Sequence, residues 1–105
     1  MINLEKRHLD FVQDTLKKYI PNETVWLFGS RVTNKIKPYS DIDLAIISNE
    51  PISSGILCHL SLAFEESDLP YKVDLLDWSL LDNDFKKIIT AKYEIIQQGK
   101  NNANC

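Results

Sequence analysis

The stretch FGSRVTNKIKPYSDIDLAII, residues 28–47, places two carboxylates in what otherwise reads as a buried β-strand. Asp41 and Asp43 alternate with Ile42 and Leu44, so both acids project from one face of the strand and both apolar side chains project from the other. Two carboxylates this close repel each other, and partial burial increases that cost. A divalent cation such as Mg²⁺ would remove the repulsion, because it binds hard oxygen ligands. The alternative is a polar strand end with both acids in water.

Gly29 and Ser30 follow the preceding strand directly and favour the first interpretation. A glycine after a strand lets the backbone turn tightly and lets a ligand approach closely. A serine at the start of a helix leaves backbone N–H groups and a hydroxyl free to bind an anion, with help from the helix dipole. A phosphate cradle beside a carboxylate pair suits a metal-bound nucleotide, whereas an ordinary serine N-cap is the alternative.

Positive charge is concentrated in the same region. No acidic residue lies between positions 24 and 40, whereas Arg31, Lys35 and Lys37 are basic. The formal net charge of the whole chain is −3, which disfavours binding to an extended nucleic acid. A small phosphate-bearing molecule fits this local charge better, and a solvated basic loop is the alternative.

The elements that must position these residues alternate between helix and strand. Apolar periodicity predicts helices over 4–20, 31–36, 53–66 and 82–90, and strands over 24–28, 41–48 and 71–78. Residues 92–98 could continue the last helix or form a short strand. The predicted fold is α/β, a small mixed three-stranded sheet with flanking helices in the order α-β-α-β-α-β-α.

Gly29-Ser30, ten further residues and then Asp41-Ile42-Asp43 resemble the Gly-Ser-x10-Asp-x-Asp signature of the DNA polymerase β-like nucleotidyltransferase superfamily. The chain is most similar to the minimal nucleotidyltransferases, in which this core is nearly the whole protein. The family pattern for a third acid, on the next strand, maps onto Asp74. Asp77 falls on the opposite face of that strand and is predicted to be a turn or surface carboxylate.

This resemblance implies nucleotidyl transfer, in which a hydroxyl attacks the α-phosphate of ATP or another NTP and pyrophosphate leaves. Asp41 and Asp43 would bridge two Mg²⁺ ions, with Mn²⁺ as a substitute. Asp74 would complete the metal site near the nucleophile and help to deprotonate it. The residues predicted to bind the nucleotide are Gly29, Ser30, Arg31 and Lys35, with Lys37 as a further candidate for the pyrophosphate charge.

The resemblance also implies a partner. Minimal nucleotidyltransferases are commonly encoded beside a HEPN-family protein as the antitoxin of a toxin–antitoxin pair, and several members transfer AMP to a tyrosine of that partner. Two alternatives stay open: a non-catalytic module that masks the partner by contact, and an enzyme that modifies a small hydroxyl compound. The missing wall of the acceptor pocket could come from a partner or from a second copy, so a homo-oligomer and a hetero-oligomer are both compatible with the sequence.

Length and composition set the remaining expectations. The chain has 105 residues, which we divide into one nucleotidyltransferase domain over 1–99 and a disordered tail over 100–105. No apolar run approaches the ~20 residues of a membrane span, and the N-terminus lacks the apolar stretch of a signal peptide, so we expect a cytoplasmic protein. Without a basic stripe or a template-binding domain, polymerase activity is not expected.

Overall fold

A computed structural model of the chain describes residues 4–29, 32 and 41–99. Its strands are β1 (Thr24–Phe28), β2 (Ile42–Ile47), β3 (Val73–Asp77) and β4 (Tyr93–Gln97). They form one mixed sheet in the order β3-β2-β1-β4. β1 pairs antiparallel with both β2 and β4, whereas β2 and β3 are parallel.

The helices in the described residues are α1 (Lys6–Tyr19), α2 (Ser54–Glu65), a 3-10 helix (Trp78–Leu80) and α3 (Asn83–Ala91). The bounds of α1, α2 and α3 agree closely with the helices predicted over 4–20, 53–66 and 82–90, whereas the 3-10 helix was not predicted and begins at Trp78, the last residue of the predicted strand 71–78. The predicted helix over 31–36 lies outside the described residues except for Val32, which is helical and buried. None of the helices in the described ranges is long and apolar enough to cross a membrane.

The predicted three-stranded sheet is wrong in its number of strands, because residues 93–97 form a fourth strand beside β1. Long-range contacts hold this strand in place. The Gln97 side-chain amide donates to the carbonyl oxygens of Ile20 and Glu23, both at 2.8 Å, and the Gln13 amide donates to the carbonyl of Ile96 at 2.9 Å. A run as short as YEIIQ has no decisive periodicity of its own, so pairing with β1 decides its conformation.

One face of the sheet carries the main hydrophobic core, which α1 and α2 cover. Alternate strand residues point into it, as the period of two in a strand requires. The fully or almost fully buried members of this core are Val12, Leu16, Ile20, Val25, Leu27, Val32, Ile42, Leu44, Ile46, Leu60, Phe64 and Ile96. The strand residues between them therefore point to the opposite face.

The opposite face is covered in part by α3 and holds a smaller apolar cluster. Its buried residues are Phe28, Ala45 and Ile89, and Trp26, Ile47, Leu76, Trp78, Leu81 and Tyr93 pack against them. Asp43 alternates with Leu44 of the main core, and Asp74 alternates with Val73 and Leu75. Both carboxylates consequently belong to the face with the smaller cluster.

Asp77 at the end of β3 is buried, with 7% of its surface exposed, so the prediction of a surface carboxylate is wrong. It is nevertheless a turn residue, because it accepts hydrogen bonds from the Ser79 N–H at 3.0 Å and the Ser79 hydroxyl at 2.7 Å at the start of the 3-10 helix. It also accepts one from the Ile52 N–H at 2.7 Å, and the Ser48 hydroxyl lies 3.4 Å away. Burial opposes ionisation, but these donors outweigh it and lower the pKa of Asp77. Asp77 thus ties the loop after β2 to the end of β3.

We expect Asp77→Ala to lower the free energy of unfolding by about 2–3 kcal/mol near neutral pH, because buried N–H donors lose a charged acceptor. A carboxyl group whose pKa is lower in the folded state stabilises the fold at pH values above its unfolded pKa, about 4. The advantage of the wild type over the variant should therefore shrink as the pH falls through the folded pKa. Urea unfolding followed by tryptophan fluorescence at a series of pH values measures this difference.

The control is Asp82→Ala, because Asp82 caps α3 by accepting one hydrogen bond, from the Phe85 N–H at 2.7 Å. Loss of such an exposed cap costs about 1 kcal/mol. An Asp77→Ala variant that loses no more stability than this control would contradict the anchoring role of Asp77.

Candidate active site

Asp43 and Asp74 stand side by side on neighbouring parallel strands. The register of β2 and β3 pairs Ile42 with Val73 and Asp43 with Asp74. Neighbouring strands lie about 4.8 Å apart, and side chains at paired positions leave the sheet on the same face. Two acids from different parts of the sequence therefore share one patch of the sheet surface.

Asp41 lies two residues before Asp43, just ahead of the start of β2, and is half-buried. Burial, together with the charges of Asp74 and Asp41, raises the pKa of Asp43 to about 6. Asp74 and Asp41 are thus both close enough to Asp43 to repel its carboxylate. This repulsion destabilises the ionised form of Asp43, and the apolar residues around it cannot screen the charge.

Gly29 borders Asp43 on the other side, at the end of β1. Its φ of +81° lies in the left-handed region, and its carbonyl accepts a hydrogen bond from the Val32 N–H at 3.1 Å. A Cβ atom on Gly29 would meet the Oδ2 atom of Asp43 at 2.5 Å. The backbone conformation therefore favours glycine here, and any larger residue would also push the Asp43 carboxylate aside.

Lys72 is a charged neighbour of this site to which the sequence analysis gave no role. Its Nζ atom lies 3.6 Å from Oδ1 of Asp74, with 73% of the Lys72 side chain and 40% of the Asp74 side chain exposed. Its carbonyl accepts a hydrogen bond from the Ile42 N–H at 2.8 Å, which fixes its main chain beside the start of β2. Strand alternation could have revealed Lys72, because it stands two residues before Asp74 within the strand predicted over 71–78.

Three predicted nucleotide-binding residues, Ser30, Arg31 and Lys35, lie outside the described residues, as does Lys37. Their assignments stay predictions. Of the predicted site residues, those that the structure describes are Gly29, Asp41, Asp43 and Asp74. It brings all four to the same end of β1, β2 and β3.

The donor set fits a hard divalent cation. Its carboxylates repel one another, and a cation with oxygen ligands would remove that repulsion. Over residues 4–29, 32 and 41–99, no three Asp, Glu, His or Cys side chains already stand close enough to enclose a metal ion. The carboxylate of Asp74 also lies 3.6 Å from the ammonium group of Lys72.

The family model described as Polymerase beta, Nucleotidyltransferase matches residues 11–101. This span contains β1 to β4 and all four of the site residues described above. The chain belongs to the polymerase β nucleotidyltransferase family. The resemblance inferred from the Gly-Ser and Asp-x-Asp residues is thereby confirmed.

Individual relatives agree with this membership. The chain is 47% identical over 97 residues, 92% of its length and 85% of the relative's, to a Haemophilus influenzae protein described as probable protein adenylyltransferase MntA. Two solved structures share the fold of this nucleotidyltransferase. One is a toxin–antitoxin with AMP-PNP, with a TM-score of 0.73 and 20% identity over 91% of this chain and 77% of the other. The second is a tri-AMPylated Shewanella oneidensis HEPN toxin in complex with MNT antitoxin, with a TM-score of 0.69 and 19% identity over 96% and 78%.

We expect Gly29→Ala to destabilise this nucleotidyltransferase by about 1–2 kcal/mol, the cost of the left-handed conformation for a residue with a Cβ. The same Cβ would displace the carboxylate of Asp43, so binding of Mn²⁺ and ATP should be lost as well. Thermal melts and calorimetric titration measure the two effects.

Gly55→Ala is the matched control, because Gly55 lies in α2 and a Cβ there would meet only the Ser53 hydroxyl oxygen, at 3.6 Å. This change should raise stability by about 0.5–1 kcal/mol and leave ligand binding unaltered. Wild-type ATP and Mn²⁺ affinity in Gly29→Ala would mean that the nucleotide binds elsewhere.

We expect Asp43→Asn to leave the metal-free protein at least as stable as the wild type near pH 7, with a gain of about 1 kcal/mol after allowance for partial exposure. The folded pKa of Asp43, about 6, is higher than its value of 3.8 outside the fold, so its charge destabilises the fold most above pH 6. The gain in the variant should therefore shrink as the pH falls from about 6 to about 4. Urea unfolding at several pH values measures it. A large loss of stability in Asp43→Asn would mean that this acid is structural.

Proposed function

We propose that this nucleotidyltransferase transfers AMP from ATP to a hydroxyl group of a HEPN-type toxin and thereby acts as its antitoxin. The reaction forms a bond between the acceptor oxygen and the α-phosphorus and breaks the bond between that phosphorus and the pyrophosphate oxygen. We assign this activity to the cytoplasm, where ATP and Mg²⁺ are both available. The complex with the acceptor would be a hetero-oligomer.

The observation that carries the proposal is the 47% identity, over 92% of the chain, to the protein described as an adenylyltransferase. The site by itself supports transfer from any NTP, because carboxylates and a glycine turn do not distinguish one base from another. The structures that share the fold include complexes with a toxin, and one contains an ATP analogue. They support the choice of a protein acceptor over a small hydroxyl compound.

The arrangement of the residues across the sheet supports a direction for the reaction. From β1 to β3 the order is Gly29, Asp43, Asp74, and β3 is an edge strand of the sheet. In this proposal the triphosphate lies against Gly29, on one side of Asp43. Asp74 lies on the other side, on the edge strand, where a hydroxyl group of a second protein would approach. In this proposal the Asp74 carboxylate orients that hydroxyl and accepts its proton as the oxygen attacks.

Asp41, Asp43 and Asp74 would hold two Mg²⁺ ions, or Mn²⁺ in their place, which would neutralise the charge on the α-phosphate and the pyrophosphate. Gly29 and the predicted residues Ser30, Arg31 and Lys35 would bind the β- and γ-phosphates. Donors aimed at charge that develops in the transition state are typically the largest single contribution to catalysis of this kind.

Co-expression with the protein encoded beside this chain tests the proposal. Mass spectrometry of that protein should reveal added AMP groups, and these should disappear when the chain carries Asp41→Asn. The loss should exceed about 100-fold, because a ligand of the reacting centre is removed. Asp68→Asn is the control, because Asp68 is an exposed acid in the turn after α2.

Two outcomes would replace the proposal with its alternatives. If the partner is neutralised without any added mass, and equally well by the Asp41→Asn chain, then the protein is a binding module. If a small hydroxyl compound accepts AMP from the purified chain while the partner protein does not, then the acceptor is a small molecule.

A further inference from the structure

Four charged residues share one corner of the sheet. Asp41 immediately precedes β2, two residues before Asp43, and Lys72 immediately precedes β3, two residues before Asp74. The register pairs Asp43 with Asp74, and continuing it one step past its first pair, Ile42 with Val73, brings Lys72 level with Asp41. Residues two apart project from the same face, so this corner presents three acids and one base.

Among the ion pairs between described residues, Lys72 with Asp74 is the one that involves an acid of this corner, at 3.6 Å. The Lys72 side chain is 73% exposed, so the ion pair is held by charge and not by packing. Its main chain is fixed by the hydrogen bond from the Ile42 N–H, which keeps the ammonium group within reach of Asp74. The pair is thus pre-formed but weak.

We propose that Lys72 is a positioning residue that holds the Asp74 carboxylate as its counter-ion until a divalent cation displaces it. Asp74 would then turn from Lys72 toward Asp43 and contribute to the metal site only once a cation is bound. This inference rests on the proposed metal site and adds that Lys72 and the cation compete for the Asp74 carboxylate.

The effect of this competition on metal affinity is large enough to measure. Lys72 lowers metal affinity in two ways: its bond to Asp74 must break, and its positive charge repels the incoming cation. An exposed ion pair contributes little, and a unit charge several ångströms from a divalent ion in a solvent-exposed site adds a similar amount. Together they predict that removing the charge of Lys72 tightens metal binding by about three- to tenfold.

The test is titration of the nucleotide-free protein with Mn²⁺, with free Mn²⁺ followed by electron paramagnetic resonance. Lys72→Met should tighten binding by about three- to tenfold, whereas Lys72→Arg should resemble the wild type because the charge is kept. With Asp74→Asn in the background, Lys72→Met should change the affinity much less. The gain should also shrink in high salt, since salt screens exposed charges.

Lys87→Met is the matched control, because Lys87 is exposed on α3 and its loss changes the net charge equally. An equal gain in this variant would overturn the proposal in favour of a net-charge effect. Unchanged Mn²⁺ affinity in a folded Lys72→Met protein would also overturn it, and reduced AMP transfer in that case would assign Lys72 to the acceptor instead.

If Asp43→Asn retains wild-type Mn²⁺ binding, the proposed metal site itself fails. If Asp43→Asn loses it and Lys72→Met has no effect, only the role of Lys72 fails.

Discussion

The parallel pairing of β2 with β3 is the constraint on which the site depends. It puts Asp43 beside Asp74 although 30 residues separate them in the sequence. The pairing is possible because α2 crosses between the two strands and packs Leu60 and Phe64 into the main core. Apolar packing on one face therefore stabilises a cluster of like charges on the other. The carboxylates can remain close because the register, fixed by the core, does not let them separate.

Two aspartates of the same sheet illustrate how environment decides their roles. Burial and like charges raise the pKa of Asp43 to about 6, whereas several donors lower the pKa of Asp77 despite its burial. Asp77 is satisfied by Ser48, Ile52 and Ser79 within the protein and stabilises the fold. Asp43 is destabilised by its neighbours, so its charge favours an external cation. An acid whose pKa is shifted and which does not stabilise the fold is a reasonable indicator of a functional site.

The sheet is also asymmetric in a way that suits a protein acceptor. β4 covers one flank of β1, and its own end is fixed to α1 and the following turn through Gln97 and Gln13. β3 is the strand at the other edge; it carries Asp74, whose side chain is partly exposed, and the exposed Lys72 immediately precedes it. Among the described strands none lies beyond β3, so the proposed protein acceptor would reach Asp74 without displacing a strand.

The sequence by itself determined the strands and helices with strong periodicity and, through the Gly-Ser and Asp-x-Asp spacing, the family, because these depend on local spacing. The resemblance to the family indicated Asp74 as the third acid, and strict alternation set Asp77 on the opposite face of the strand. The sequence did not determine β4, because five residues without a clear period take their conformation from pairing with β1. Nor did it determine the burial of Asp77 or the ion pair of Lys72 with Asp74. Donors on the distant segment after β2, Ser48 and Ile52, bind Asp77, and a hydrogen bond from Ile42 of β2 fixes the Lys72 main chain. Only the tertiary structure brings these partners together.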